Sequence, residues 1–498
     1  MSLSPSAISS LAARLEHGWS ESKPDVALEA LQILKEKFAG ALETKEPGDD
    51  QFSFRMNLNS VRLRGADCVY GLLTGGNSHS ALRAATEYWR QTSGVGRIVM
   101  ILTGSETSHR AAVAAIPSRA AMILSPHQVE HLMAEEKPLQ FWKQQLCRQI
   151  DKSQLLPFDI EHPAAANMFL GRDEELDMLA GASSLAIAGP GRIGKTSLLL
   201  EHRRRLVRNR DPRIHSTSLI DFYYCSNKNP NGVARFLAMR LNPTKRNSTI
   251  TADELEHFLR TEKARQGCVP ELLLDEVDEV IDLSPFNTLG HAAREGVCRI
   301  VLAGRSQLYK TINNNRSVLN CRLELIKPEP LNWLHCRQLF LETFADLGYR
   351  IAEEDKVLEL ILNLSGGLPQ HIHFLGGRLF HLLTKRSEVV ISPQLIACLD
   401  DDFKLGHYLR SALLGLQSDY QPVAESLLKW DSQAFGASAI QAAFEECGRP
   451  RPGLADACNF ADDLVLQNFL VWRGGLYRLA NATLAGRHVG LSPQPSAV

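Results

Sequence analysis

Residues 186–202 read AIAGPGRIGKTSLLLEH. Gly189, four residues, then Gly194, Lys195 and Thr196 have the spacing of a loop that wraps a polyphosphate. Glycines let successive backbone N–H groups curl toward phosphate oxygens. Lys195 is placed to neutralise the β- and γ-phosphates of a nucleotide. The Thr196 hydroxyl offers one position to Mg2+, a cation that takes oxygen ligands and keeps several waters. The flanks suit this chemistry. SLAIAG (184–189) reads as a short buried strand. KTSLLLEHRRRLVRN (195–209) reads as a helix, and its N-terminus adds partial positive charge at the phosphates. A glycine-rich turn without a ligand is the weaker reading.

A metal at such a loop calls for a second acid. PELLLDEVDEV (270–280) supplies one, with Leu272, Leu273 and Leu274 forming a buried strand that ends in Asp275 and Glu276. Ligands gather at the carboxyl ends of parallel strands. Asp275 is the candidate for holding Mg2+ through water. Glu276 is the candidate for orienting or deprotonating an attacking water, with Asp278 next in line. A solvated acidic loop is the alternative. A further apolar run, CRIVLAGRSQLY (298–309), ends in Gly304, Arg305 and Ser306. Arg305 there would touch a γ-phosphate and separate ATP from ADP; the alternative is a surface ion pair.

These residues need a scaffold of alternating strands and helices, and residues 169–325 supply one. Residues 54–150 alternate in the same way. FRMNLNSVRL, DCVYGLLTG, RIVMILTGS and RAAMILSP read as strands; SHRAAVAAI and HQVEHLMAEEKPLQFWKQQLCRQI read as helices. Residues 331–395 turn almost wholly helical, with Leu331, Leu334, Leu339, Phe340, Phe344 and Leu347 near helical spacing. After residue 400 come further helices and then NFLVWRGGLYRLAN (468–481), a hairpin signal around Gly474 and Gly475. Proline-rich or polar breaks fall at 44–51, 155–168, 326–333 and 491–498.

The chain has 498 residues, so more than one domain is expected. Hydrophobic residues make up 44%, enough for several cores, and the formal net charge of -1 does not impose a nucleic-acid partner. Ten cysteines occur without CxxC pairs or zinc-ligand spacing, which fits reduced thiols. No signal-peptide pattern and no apolar run of membrane-spanning length is found. The expectation is a cytoplasmic protein without a membrane partner.

The motifs in order carry a resemblance. MFLGRDEELDML (168–179), AGPGRIGKTSLL, LLLDEVDEV, VLAGR and LSGGLPQHIHFLG (364–376) resemble the STAND branch of the AAA+-related P-loop ATPases, over about residues 157–395. The resemblance implies an ATP-controlled molecular switch. It implies that Gly171 and Arg172 lie near the base, and that Gly189, Pro190, Gly191, Arg192, Ile193, Gly194, Lys195, Thr196 and Ser197 form the phosphate loop. It also implies that Asp275 and Glu276 end the acidic strand, that Arg305 takes the sensor place, and that Pro369 approaches the nucleotide from a helical lid. Two departures stand out. Arg192 replaces a glycine common in such loops, and the sensor place holds Arg305 instead of the asparagine of ring-forming motors. Both favour a switch with slow turnover.

Residues 400–490 resemble a winged-helix domain, through YLRSALLGL, QPVAESLLKW, SAIQAAFEEC, CNFADDLVLQN and the hairpin. Its third helix carries few basic residues and the wing offers chiefly Arg473 and Arg478, so packing on the lid is favoured over DNA binding. The basic run EHRRRLVRNRDPR (201–213) is read as the charged outer face of the phosphate-loop helix. Residues 54–135 resemble an Mrr-like restriction-endonuclease fold. Asp67 is available there. The next run, HSALRAATEYW (79–89), read as strand-like, lacks an acid-x-Lys, which implies a dead nuclease site.

The expected fold is α/β: an N-terminal α/β domain (1–155), a P-loop parallel-sheet domain (156–325), a helical lid (326–398), a winged helix (399–490) and a tail (491–498). The expected function is an ATP-binding switch that uses ATP and Mg2+, hydrolyses slowly, senses a ligand or protein partner and changes its assembly state. Bacterial conflict or phage defence is the setting that the resemblance implies. A DNA-associated AAA+ ATPase of initiator or transposition type and a nucleotide-binding scaffold are the alternatives.

Overall fold

The structure is a computed structural model. It describes residues 24–38, 42–44, 51–58, 60–74, 78–92, 97–117, 119–181, 183–245, 249–280, 282–314, 317, 319–320, 323–400, 421–428, 434–466, 469–473 and 476–479. The YLRSALLGL segment, the Gly474-Gly475 turn and the tail lie outside the described residues.

Five strands form the first sheet: β1 (Leu42–Thr44), β2 (Gln51–Met56), β3 (Val69–Thr74), β4 (Ile98–Thr103) and β5 (Met122–Leu124), in that spatial order. The first three run antiparallel; β3, β4 and β5 run parallel. Every residue of β4 (IVMILT) is buried, as expected of a parallel strand covered on both faces. One expectation is corrected here. The stretch 79–89 lies in a helix, Ser78–Thr92, which supplies the crossover that two parallel neighbours require. The long run from His127 to Ile150 is two helices, Pro126–Ala134 and Pro138–Gln149, because Pro138 cannot continue the first and instead opens the second.

The second sheet has the order β10-β6-β9-β8-β7 and is parallel throughout. Its strands are β6 (Leu185–Ala188), β7 (Thr217–Asp221), β8 (Glu271–Asp275), β9 (Arg299–Gly304) and β10 (Glu324–Ile326). β6, β8 and β9 are buried along their whole length. The chain leaves β6 as a loop and enters helix Lys195–Arg208. Because β6 lies beside β9, and β9 beside β8, the loops after all three share one carboxyl edge.

The lid begins with helical residues Trp333–Cys336, passes through a π-turn at Arg337–Leu341 and ends its first arm at Glu342–Asp346. Helices Glu354–Ser365, Pro369–Arg386 and Pro393–Asp400 follow. A two-residue parallel pair, β11 (Arg350–Ile351) with β12 (Val390–Ile391), ties the ends together. The last unit runs helix Gln421–Leu427, a single bridge from Phe435 to Tyr477, helices Ala437–Glu446 and Leu454–Leu466, then the hairpin β13 (Leu470–Arg473) and β14 (Leu476–Leu479). That order is the winged-helix arrangement.

The N-terminal unit is seated on the lid. Asp346 accepts the Arg62 backbone N–H at 2.8 Å and pairs with Lys143. The Asn167 amide donates to the carbonyls of Val61 and Leu63 at 2.7 and 2.8 Å. Phe158, in the connecting segment, packs against Phe340 and Phe344 with centroids 6.0 and 5.4 Å away. A buried aromatic of this kind contributes about 2–3 kcal/mol by its apolar area alone. One continuous apolar core runs through the N-terminal sheet, the lid and the winged helix.

Candidate functional site

The loop after β6 closes on itself. The Lys195 ammonium donates to the carbonyls of Gly189 and Pro190, both at 2.9 Å. Gly194 caps the following helix at φ 101, and Arg192 holds φ 71. Both are left-handed positions, which glycine adopts without strain, so the sequence's departure at Arg192 puts a side chain on one of the two positions of the loop that favour glycine. Lys195 is buried, and burial pushes its ammonium down to about 8; Glu276 raises it and Arg305 lowers it. A polyphosphate entering the loop would replace the two carbonyls and restore the full charge.

The acidic strand meets this loop at the carboxyl edge. The Thr196 hydroxyl donates to an Asp275 carboxylate oxygen at 2.5 Å. Adjacent corners of a Mg2+ octahedron lie about 3 Å apart, so these two oxygens suit one metal, directly or through a water. Burial raises the Asp275 carboxyl above its ordinary range, while the Thr196 hydrogen bond opposes the shift. Such a carboxylate gains from a divalent cation. Glu276 follows at φ 51, a left-handed turn that separates its side chain from that of Asp275.

Arg305, on the neighbouring strand end, reaches Glu276 with N–O distances of 3.3 and 3.5 Å. Asp278 has a different task. Its carboxylate accepts the backbone N–H groups of Arg305 and Gln307 at 2.5 and 2.8 Å, which caps helix Ser306–Asn313. Gly304 makes room for it: a Cβ there would lie 2.1 Å from an Asp278 oxygen. Asp278 is therefore a positioning residue, and its place as the second candidate base does not survive.

Arg172 and Ser197 tie the loop to its surroundings in ways that the sequence did not reveal. The Arg172 guanidinium is buried and donates to the carbonyls of Glu329 at 2.5 Å and Ile193 at 3.5 Å, tying the loop to the entry of the lid. Ser197 accepts the Ala164 backbone N–H at 3.0 Å and so anchors the connecting segment. Pro369 is the first residue of lid helix Pro369–Arg386. Beneath the loop, at the opposite edge of the sheet, lies a buried network. Glu271 pairs with Arg299 and accepts from the Thr217 hydroxyl at 2.7 Å, with His202 at 3.3 Å. Burial, then Arg299, pushes His202 down to about 4, so it stays neutral. A motif search does not find this network, since its members share no spacing.

Strand order, phosphate-loop conformation and the Thr196–Asp275 contact decide the fold. It is the fold of a P-loop NTPase. No protein-family model matches the sequence, and no curated protein matches it. Among solved structures, a Walker-type ATPase of Pyrococcus abyssi is similar at 15% identity and TM-score 0.47, covering 66% of this chain and 98% of that one. The ORC2 protein of Aeropyrum pernix is similar at 14% identity and TM-score 0.45, covering 66% and 94%. The RuvB Holliday junction branch migration motor of Thermotoga maritima is similar at 13% identity and TM-score 0.35, covering 67% and 99%.

The winged-helix unit turns its third helix toward this P-loop domain. Asp463 pairs with Lys310 at 2.7 Å, and Asp462 accepts from the hydroxyls of Tyr477 at 3.2 Å and Tyr309 at 3.4 Å. That helix, Leu454–Leu466, has no lysine or arginine. Among the described residues no helix is long and apolar enough to cross a membrane.

Proposed function

We propose that the protein is an ATP-binding switch that hydrolyses ATP slowly and moves its lid, winged helix and N-terminal unit between two arrangements. The observation that carries this reading is the joint placement of Lys195, Thr196 and Asp275 at one strand edge. Lys195 binds the phosphates. Thr196 and Asp275 would hold Mg2+, which would supply positive charge against the phosphates. Glu276 accepts the proton of an attacking water. Arg305 meets the γ-phosphate and thereby leaves Glu276 free.

The switching part of the reading is supported by what touches the loop. Arg172 joins the loop to the lid entry at Glu329. Asp346 joins the lid to the N-terminal unit. Asp462 and Asp463 join the winged helix to the helix that Arg305 begins. A change at the γ-phosphate therefore has a packed route to all three units, and ATP shifts the balance toward whichever arrangement binds it better. With its acidic third helix engaged in these contacts, the winged helix serves packing in this reading. DNA binding by it belongs to the alternative of an initiator-type ATPase, which predicts strongly salt-dependent affinity for duplex DNA. A sensed ligand or protein partner, an assembly change and a role in antiviral defence remain parts of the proposal.

The N-terminal sheet, with three antiparallel strands and a helical crossover, suits the endonuclease-like reading. Asp67 lies in the turn Ala66–Cys68 just before β3 (VYGLLT), and neither β3 nor the next strand β4 (IVMILT) offers an acid or lysine, so we read the unit as non-catalytic. DNA cut by the full chain with Mg2+ or Mn2+ would overturn that.

Calorimetry tests the phosphate site. Wild type binds ATP with Mg2+, and Lys195→Ala loses binding while its melting curve is retained. Equal affinity in both would remove the basis of the reading.

A further inference from the structure

The edge of the P-loop sheet away from the phosphates carries a groove of about 740 Å³. It runs along the amino ends of all five parallel strands. Leu323, Ser184, Arg299, Val269 and Ser216 stand at or just before the first residues of β10, β6, β9, β8 and β7. Neighbouring strands lie about 4.8 Å apart, so the groove is about 19 Å long, the reach of about six extended residues. Helix Ser284–Arg294 forms the outer wall with Ala293 and Arg294. The phosphate loop leaves β6 at its other end, and none of its residues lines this groove.

The charge of the lining is one-sided. Among the described residues, three arginines and no aspartate or glutamate line the groove. Arg299 is buried on the floor and pairs with Glu271 behind it. Arg213 donates to the two Asp211 oxygens at 3.1 and 2.7 Å and to the Ala180 carbonyl at 3.0 Å. A guanidinium has five donors, so both keep N–H groups to spare. Arg294 is less engaged still. It approaches Glu295 at 3.7 Å, beyond hydrogen-bond reach, and both side chains are more than half exposed. Burial, then the charge of Arg213, pushes Arg299 down to about 10, so a guest's carboxylate relieves the floor and a further cation does not. Between the cations lie apolar surfaces: Val269, 42% exposed, with Leu323, Pro212 and Ala293. A phosphate backbone gains nothing from them. A peptide with alternating aliphatic and acidic side chains gains from both, because an extended chain points successive side chains to opposite faces. One face covers Val269 and Leu323; the other presents carboxylates that suit the planar fork of Arg294.

We propose that this groove docks an extended segment of a partner protein, about six residues long, in which aliphatic and acidic side chains alternate. Charge complementarity with the arginines and cover for the apolar floor select that guest together. The site stands whether or not the phosphate loop binds ATP.

The probe is a fluorescein-labelled octapeptide of alternating leucine and glutamate, titrated into the full chain by fluorescence polarisation. One control replaces glutamate with lysine, the other leucine with alanine. One leucine–glutamate peptide should bind per chain, and each control should bind about tenfold more weakly or worse. Arg294→Glu should weaken the leucine–glutamate peptide about tenfold or more, since an attraction becomes a repulsion at an exposed position that the core does not use. Val269→Glu should do the same by charging the floor; should either variant fail to fold, the other decides. No binding to wild type, equal affinity in wild type and in the folded variants, equal binding of the leucine and alanine peptides, or displacement of the peptide by a short DNA duplex would each overturn the proposal.

Discussion

The Arg305 guanidinium lies 3.3 Å from a carboxylate oxygen of Glu276, while Asp278 holds the backbone of Arg305 in place at 2.5 Å. The candidate base and the candidate γ-phosphate sensor therefore occupy one another. In the proposed reading a γ-phosphate entering the loop would compete for the same guanidinium, so that recognition of ATP and release of Glu276 would be a single event. ADP has no group to make that exchange.

Arg305→Ala should then lower ATP affinity about tenfold and leave ADP affinity within about twofold. The estimate is one charge-assisted hydrogen bond, reduced because Arg305 is half-exposed and screened by solvent. Competition binding with the two nucleotides checks it. Equal losses for ATP and ADP would make Arg305 a general structural residue.

ATP affinity should fall as pH rises through 8. Burial holds the free-site Lys195 near that value, and bound phosphates favour its charged form. Above pH 8 the free site has lost the proton that the complex needs, so binding takes one up. At pH 9 the uptake should approach about one proton per ATP, and at pH 7 it should be small. Calorimetry in buffers of different ionisation enthalpy measures it. Uptake at pH 9 no greater than at pH 7 would contradict it.

Glu271→Ala should destabilise the fold by about 3 kcal/mol or more, because Arg299 is left buried and without its counter-charge. Arg299 keeps its hydrogen bonds to the carbonyls of Ser183 and Leu179, at 2.9 and 2.8 Å, which places the loss at the lower end of the range for broken buried pairs. Urea unfolding followed by far-UV circular dichroism reads it. A midpoint equal to wild type would show that the network adds nothing to stability.

The phosphate loop and the acidic strand were legible because their chemistry is local. Gly189 to Thr196 is one continuous segment, and Leu272 to Glu276 is a buried strand with its acids at the end. Arg305 was legible as a strand-end cation; its pairing with Glu276 was not, since strand order β6-β9-β8 creates that proximity. Asp278 looked like a spare base because capping depends on where helix Ser306–Asn313 begins. The stretch 79–89 looked strand-like until the parallel pairing of β3 and β4 required a helical crossover. The seating of Asp346 on Lys143 and Arg62 joins residues some two hundred positions apart or more, and no local pattern carries such a contact.

The most direct test of the switch is Glu276→Gln, compared with wild type in ATP, ADP and no nucleotide by limited proteolysis and size-exclusion chromatography. The amide keeps the shape of the carboxylate but cannot accept the proton of water. Lys195, Thr196 and Asp275 still hold the nucleotide. The account predicts retained ATP binding, slowed hydrolysis, and a protease pattern or size with ATP that differs from the other two states, more persistently in the variant. Hydrolysis at the wild-type rate, or identical patterns and sizes in all three states, would contradict it.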